Sequence, residues 1–380
     1  MLSLPQITQL SLLKIRHLKF TSFNIKSMKF FRSISIIFLV FSLCSLSKAQ
    51  KKHKVPTEKD MGAYLLVYFK DDTHGLYFAL SKDGNSFTDV NNAKPIIAGD
   101  TIADQKGIRD PYILRGPDGM FYMALTDLHL FAQKLGYRAT EWERDGKEFG
   151  WGNNRGMVLM KSPDLIHWSH TVLHVDEAFP ELTNIGCAWA PELIYDELKQ
   201  RIMIYFTMRI GTKKEKVYYS YINPEFTKLE TAPKPIFEYP NGKPFIDGDI
   251  TKVGNKYHLF YCSHDGTAGI KQAVSDSLTS GYVYDSTWYD PEPRGCEAPN
   301  IFKRIGENKW VLVYDIYGIK PHNFGFSETS DFVHFTNLGH FNEGVMKTIN
   351  FSIPKHPSFI QITSKEANRI AQHWGVDMKF

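Results

Sequence analysis

From about residue 63 onward the chain runs in short alternations of apolar and polar positions, punctuated by Gly, Pro, Asn and Asp. Met120–Leu125, Arg201–Phe206, Lys256–Tyr261 and Lys309–Tyr314 are aromatic-rich runs of this kind, and each predicts a strand. Gly116-Pro-Asp-Gly119 and Gly306-Glu-Asn308 supply turn chemistry between paired strands. No 3.6-residue pattern of comparable length appears before Thr363-Ser-Lys-Glu366, which reads as a capping box opening a short C-terminal helix through Trp374.

The strands belong to a repeat. Asp110-Pro-Tyr-Ile113, Ala190-Pro-Glu-Leu193, Asp247-Gly-Asp-Ile250, Ala298-Pro-Asn-Ile301 and His356-Pro-Ser-Phe359 share one pattern and recur at intervals of roughly 50–80 residues. A second repeat, a hydroxyl followed two residues later by Asp, joins Ser81/Asp83, Ser162/Asp164 and Thr329/Asp331. These aspartates read as turn caps. Five four-stranded units of this length predict an all-β fold, a five-bladed β-propeller. The last unit supplies only an inner strand, so the strands of Ala63–Phe69, Gly75–Leu80 and Ser86–Val90 are expected to complete it and close the ring. Residues 56–380 carry no linker and read as a single domain; residues 127–155 are a long insertion in the first blade, placed to wall a pocket.

The leader is a different kind of sequence. Residues 1–49 contain no Asp or Glu, and the stretch from Met28 has a basic start, a short apolar run and small residues at Ser47-Lys-Ala49. That is the pattern of a signal peptide, with Met28 as the natural start and a secreted or periplasmic protein as the outcome. Phe41-Ser42-Leu43 matches a lipidation box poorly, which argues against an anchor at Cys44, and the apolar run is too short to span a membrane. Removing the seven basic residues before Gln50 turns a net charge of +4 into −3, which leaves nucleic acid without electrostatic support. Cys187, Cys262 and Cys296 remain, an odd number with no zinc spacing, and read as buried free thiols.

The repeat also decides the chemistry. First strands of propeller blades line the central axis, and here they bring Asp110, Asp247, Glu297 and His356 toward it. Acids gathered in one place repel one another and lose solvation, so a structural role explains them poorly; catalysis, or a cation site, explains them better. Glycoside hydrolysis needs a proton donor and a carboxylate that activates water or attacks the sugar. Trp189, ahead of a channel-lining motif, offers a stacking face; Glu192, Arg209, His264 and His322 are candidate contacts to sugar hydroxyls.

Arg109-Asp110-Pro111, Ile246-Asp247-Gly-Asp249 and Glu297-Ala298-Pro299, in that order and followed by His356, resemble glycoside hydrolase family 43 over residues 63–374. The resemblance implies an inverting enzyme: Asp110 as general base, Glu297 as general acid, and Asp247 as the group that raises the Glu297 pKa. Asp247-Gly-Asp249 departs from the usual Asp-Pro, so Asp249 competes for the third role. His356 matches an axial histidine associated, through water, with a calcium or sodium ion; no cofactor is required for the reaction. The substrate would be an oligosaccharide or polysaccharide of plant type. An exo-acting α-L-arabinofuranosidase is expected first, with β-xylosidase and β-D-galactofuranosidase behind it. A glycan-binding propeller without catalysis is the alternative of another class, and the three acids disfavour it.

Overall fold

The computed structural model describes residues 55–380 apart from Arg294. The leader, with Met28 and Cys44, lies outside the described residues. Lys54–Phe380 forms one compact unit.

The unit is all-β and five-bladed. β1 (Met61–Phe69), β2 (Leu76–Ser81) and β3 (Ser86–Asp89) come first in the chain but belong to the last blade. Blade 1 is β4 (Ile108–Arg115), β5 (Phe121–Asp127), β6 (Gly156–Ser162) and β7 (Ser169–His174). Blade 2 is β8 (Ile185–Asp196), β9 (Arg201–Ile210), β10 (Lys216–Tyr221) and β11 (Lys234–Pro235). Blade 3 is β12 (Phe245–Val253), β13 (Lys256–Ser263), β14 (Gly269–Ser275) and β15 (Val283–Tyr284). Blade 4 is β16 (Glu297–Lys303), β17 (Trp310–Ile316), β18 (Asn323–Thr329) and β19 (Thr336–His340). β20 (Lys347–Thr348) and β21 (Lys355–Thr363) complete blade 5.

The ring closes as the repeat predicts. β21 is the inner strand of blade 5 and pairs antiparallel with β1, Leu65 opposite Ile360. One detail differs. The C-terminal segment also supplies β20, which runs parallel to β3 at the outer edge, so it contributes more than an inner strand. Glu366 explains why the chain turns into a helix at Ser364–Trp374: its carboxylate takes the Thr363 N–H at 2.8 Å while Thr363 Oγ1 accepts from Glu366 N. The same carboxylate receives a two-pronged bond from Arg115, 2.7 Å on each arm, and fastens the helix to blade 1.

Five apolar clusters fill the five gaps between neighbouring blades. Phe78 meets Met123 between blades 5 and 1, Leu159 meets Phe206 between 1 and 2, and Tyr205 meets Leu259 between 2 and 3. Ile270 meets Leu312 between 3 and 4, and Phe326 meets Leu66 between 4 and 5. Every blade is therefore packed on both faces. That is why β2 and β5 are buried along their whole length and read as continuous apolar runs rather than clean alternations. Phe78 and Phe206 are fully buried, and trimming such a ring to alanine costs about 3–5 kcal/mol. Asp83, Asp164 and Asp331 cap turns by accepting the N–H groups two and three residues ahead.

Candidate active site

The repeated motif is a β-bulge. In each inner strand two residues oppose one on the neighbouring strand, at Asp110, Ala190, Asp247, Ala298 and His356 with the residue that follows each. The first residue of every bulge is left-handed, with φ of 50°, 45°, 53°, 54° and 45°. None is glycine, and each such residue costs on the order of 1–3 kcal/mol unless its surroundings hold it. Four of the five are held from the blade before. Thr126 Oγ1 accepts Ala190 N at 2.8 Å, Thr207 Oγ1 accepts Asp247 N at 3.0 Å, Asp247 Oδ2 accepts Ala298 N at 3.3 Å, and Asp315 Oδ2 accepts His356 N at 3.2 Å.

Three layers follow from this geometry. The residues just before the bulges are Arg109, Trp189, Ile246, Glu297 and Lys355. The bulge residues bring Asp110, Asp247 and His356 to the next layer. Two residues further on, Tyr112, Glu192, Asp249, Asn300 and Ser358 form an axial core that is stitched across blades. Ser358 Oγ takes Ile113 N at 3.2 Å, Asp249 Oδ2 takes Ile301 N at 3.2 Å, and Asn300 Oδ1 takes Phe359 N at 3.0 Å.

The acids differ in environment. Asp110 is 8% exposed and accepts from Thr126 Oγ1 at 2.7 Å, with His356 Nδ1 at 3.3 Å from its other oxygen. Burial works to raise its pKa, but the His356 imidazolium, Arg109 and Thr126 together hold it below the usual carboxylate range. Burial and the charges of Glu297 and Asp110 push Asp247 up to about 7, against the pull of His356. Glu297 keeps 29% of its side chain exposed. Burial raises its pKa and Asp315 adds to the rise, while Lys355, with Nζ 3.6 Å from Oε1, opposes it. Lys355 is itself buried and pairs with the fully buried Asp315 at 2.7 Å. Arg109 is tied to Asp71 at 2.7 Å and lies over the Phe69 ring.

The structure therefore brings Asp110, Asp247, Glu297 and His356 together. Asp249 belongs to the axial core instead, bonded to Asn300 and Ile301, and burial pushes it up to about 7. Two expected sugar contacts are corrected. Glu192 is 1% exposed, accepts the Tyr205 hydroxyl at 2.8 Å and sits beside Asp249 in that core, out of a sugar's reach. Arg209 is 5% exposed and spends its guanidinium on Glu215 at 2.9 Å and on the carbonyls of Phe149, Trp151 and Gly186. It anchors the insertion. Trp189 lies half-buried under that insertion, donating to Gly152 O at 2.9 Å. His264 is exposed just past β13, and His322 is half-buried, where burial and the positive charge of Lys355 lower its pKa.

Lys355, Asp315 and Thr126 escaped the sequence reading. The slot before each bulge was the available signal: Lys355 stands to His356 as Glu297 stands to Ala298. His356 points Nδ1 at Asp110, whose charge, with those of Asp247 and Glu297, raises its pKa against burial and favours an imidazolium rather than a ligand. Among the described residues, three ligand atoms within 4.8 Å of one another occur at Asp104, Asp127 and His174, away from the axis. The three thiols are free and buried, as expected.

Comparison with known proteins decides the family. The family model described as a probable glycosyl hydrolase domain, related to family 43, matches residues 59–368. The chain belongs to this glycosyl hydrolase family. The chain is 25% identical over 254 residues to an α-L-arabinofuranosidase of Bifidobacterium longum subsp. longum, a match covering 60% of this chain and 22% of that protein. It thus spans about a fifth of that relative's length. The family-43 protein BlXynB of Bacillus licheniformis superposes with a TM-score of 0.50 at 16% identity, covering 80% of this chain and 55% of the other. An exo-1,5-α-L-arabinanase from a bovine ruminal metagenomic library gives 0.49 at 15% identity, over 73% and 93% of the two chains. Among the described residues, no helix is long and apolar enough to cross a membrane.

Proposed function

We propose that the chain is a secreted, inverting, exo-acting α-L-arabinofuranosidase that releases terminal sugars from plant-type oligosaccharides or polysaccharides. The observation that carries the reading is the split between two carboxyls that both act on Asp247 and His356. Asp110 is held ionised by His356 and Arg109, while burial and Asp315 push Glu297 toward its protonated form. Environments that drive two acids apart mark a base and an acid.

In this scheme Asp110 takes a proton from water as its oxygen attacks the anomeric carbon. Glu297, the most exposed of the three, gives its proton to the departing oxygen as the glycosidic bond breaks. Asp247 takes the third role: it and Glu297 disfavour each other's ionisation, and it fixes the Glu297 backbone by accepting the N–H of Ala298, the next residue. No ion enters the scheme. The choice of sugar is supported by the name of the Bifidobacterium relative and by the insertion, which is bonded over Trp189 in the layer of Glu297.

The test is turnover of p-nitrophenyl α-L-arabinofuranoside, β-D-xyloside and β-D-galactofuranoside by the protein beginning at Gln50, beside Glu297→Gln and Asp110→Asn. Turnover of the arabinofuranoside, abolished by both substitutions in folded protein, is the expected result. Turnover of another sugar replaces the substrate. Sugar binding without turnover in the wild type replaces the enzyme with a lectin-like propeller.

A further inference from the structure

The insertion of blade 1 holds an aromatic ring in solvent on a rigid mount. Trp151 is 61% exposed. Single exposed apolar side chains are ordinary on a protein surface; what sets Trp151 apart is the way its backbone is held. Its mount is unusually well tied. The Trp151 carbonyl accepts from Arg209, and the next carbonyl, that of Gly152, accepts from Trp189 Nε1 at 2.9 Å. Gly152 has φ +61°, and a Cβ there would stand 3.0 Å from Trp189 Cζ2, so the backbone touches the ring it is bonded to. Asn153 and Asn154 are fully buried and finish the attachment. Asn153 bonds back to Arg144 and Gly150, and Asn154 exchanges two bonds with the backbone of Ala188, at 2.9 Å and 2.8 Å.

Two further indoles flank the ring. Trp142 meets it at 5.3 Å with 62° between the planes, and Trp189 at 5.8 Å with 77°. Neither neighbour stacks parallel on the indole, and 61% of the residue stays exposed between them. The position is continuous with the acids. Trp189 occupies the slot that Arg109, Glu297 and Lys355 occupy in other blades. The next residue, Ala190, is bonded through its N–H to Thr126, whose hydroxyl is bonded to Asp110.

We propose that Trp151 is a stacking platform for the sugar unit beyond the one cleaved, so that the enzyme recognises a carbohydrate chain rather than a lone terminal residue. The ligand class is an oligosaccharide whose ring presents an apolar C–H face. This deepens the functional reading above and rests on it for the location of the cleaved unit.

The test measures binding apart from hydrolysis. Arabinotriose and xylotriose are titrated calorimetrically into Glu297→Gln and into the same chain carrying Trp151→Ala, Trp151→Leu or Trp151→Phe, with near-ultraviolet circular dichroism to verify the fold. Loss of one aromatic contact is expected to weaken the better trisaccharide about ten-fold in the alanine chain. Leucine should restore little and phenylalanine most of the affinity, because the flat face rather than bulk is the contact. In the catalytically intact protein the same loss should appear in KM for the trisaccharide with kcat little altered. Equal affinity with and without the Trp151 ring, or no binding of either trisaccharide by Glu297→Gln, overturns the platform. Weakened binding by the alanine chain in a protein that hydrolyses no glycoside upholds it and removes the catalytic reading alone.

Discussion

Lys355 offers the sharpest test of the electrostatics that Glu297 needs. Its ammonium lies 3.6 Å from Glu297 Oε1 and 2.7 Å from Asp315 Oδ2. At that 3.6 Å separation, unit charges interact by about 1–5 kcal/mol for effective dielectrics between water and a protein surface, or roughly 1–3 pKa units. Glu297 is partly exposed, so the lower half of that range applies. Lys355→Met removes the charge that favours the carboxylate and leaves Asp315, which disfavours it. The Glu297 pKa must rise, the proton donor must persist to higher pH, and the basic limb of kcat/KM must move alkaline by about one to two units.

The neighbouring variants fix the order. Asp315→Asn removes the raising charge and turns Lys355 wholly on Glu297, so its basic limb moves to lower pH. The double variant loses both charges and, since the Lys355 effect exceeds that of Asp315, falls between wild type and Lys355→Met. The assay is a pH profile of kcat/KM at constant ionic strength, on a glycoside whose poor leaving group needs the proton. Stability gives a second reading. Lys355→Met strands a fully buried carboxylate whose Oδ1 has no partner, at about 3–5 kcal/mol. The double variant should lose clearly less, because Asn still offers an oxygen to His356 N. A basic limb that stays put in Lys355→Met, or an order other than Asp315→Asn, wild type, double variant, Lys355→Met, refutes the assignment of Glu297 as the acid under Lys355 control.

Three further outcomes follow from buried polar groups. Thr126→Val leaves Asp110 Oδ2 and Ala190 N without the hydroxyl that serves both at 2.7 and 2.8 Å, and should cost about 2–3 kcal/mol in urea unfolding, with Thr126→Ser recovering most of it. Asp249 binds its proton up to about pH 7 in the folded chain but only to about pH 4 when unfolded, so its share of stability is full below pH 4 and is lost as pH rises to 7. Asp249→Asn should therefore flatten the decline of unfolding free energy from pH 4 to 7 by about 2–4 kcal/mol, leaving the slope due to other raised carboxyls, among them Asp127 and Asp247 at about 7, Glu192 and Glu297. Arg209→Met unties three carbonyls at a 5% exposed site and should lower stability by about 2–5 kcal/mol while opening residues 144–155 to limited proteolysis; an insertion as resistant as before would show that Arg209 is not its anchor.

What the sequence discloses and what it hides divide along the bulge. The motif that repeats from Asp110 to His356 is visible because one backbone solution, a left-handed residue at a bulge, is used in all five inner strands. Its spacing carries the blade count and the closure, and it brings Asp110 and Asp247 to one level. Glu297 sits one residue earlier, in the slot of Arg109 and Lys355, and reaches the acids from the layer nearer the mouth.

Layer is what residue type cannot supply. Glu192 and Asp249 lie two residues past their bulges, and the period-two alternation of the strand returns them to the axis one level deeper, among Tyr205, Asn300 and Ser358. An acid there completes the packing of the axis. An acid in the layers nearer the mouth escapes that packing, and Glu297 keeps 29% of its side chain exposed. Arg209 was misread for a related reason. A guanidinium at the end of β9 faces the mouth, where sugar and insertion compete for it, and the outcome depends on loop carbonyls that no side-chain pattern records. The same hidden competition placed Trp189 beneath the insertion and left Trp151 exposed. The proposed platform is thus a residue that stands outside every repeat, and its argument is the set of bonds that hold its backbone still.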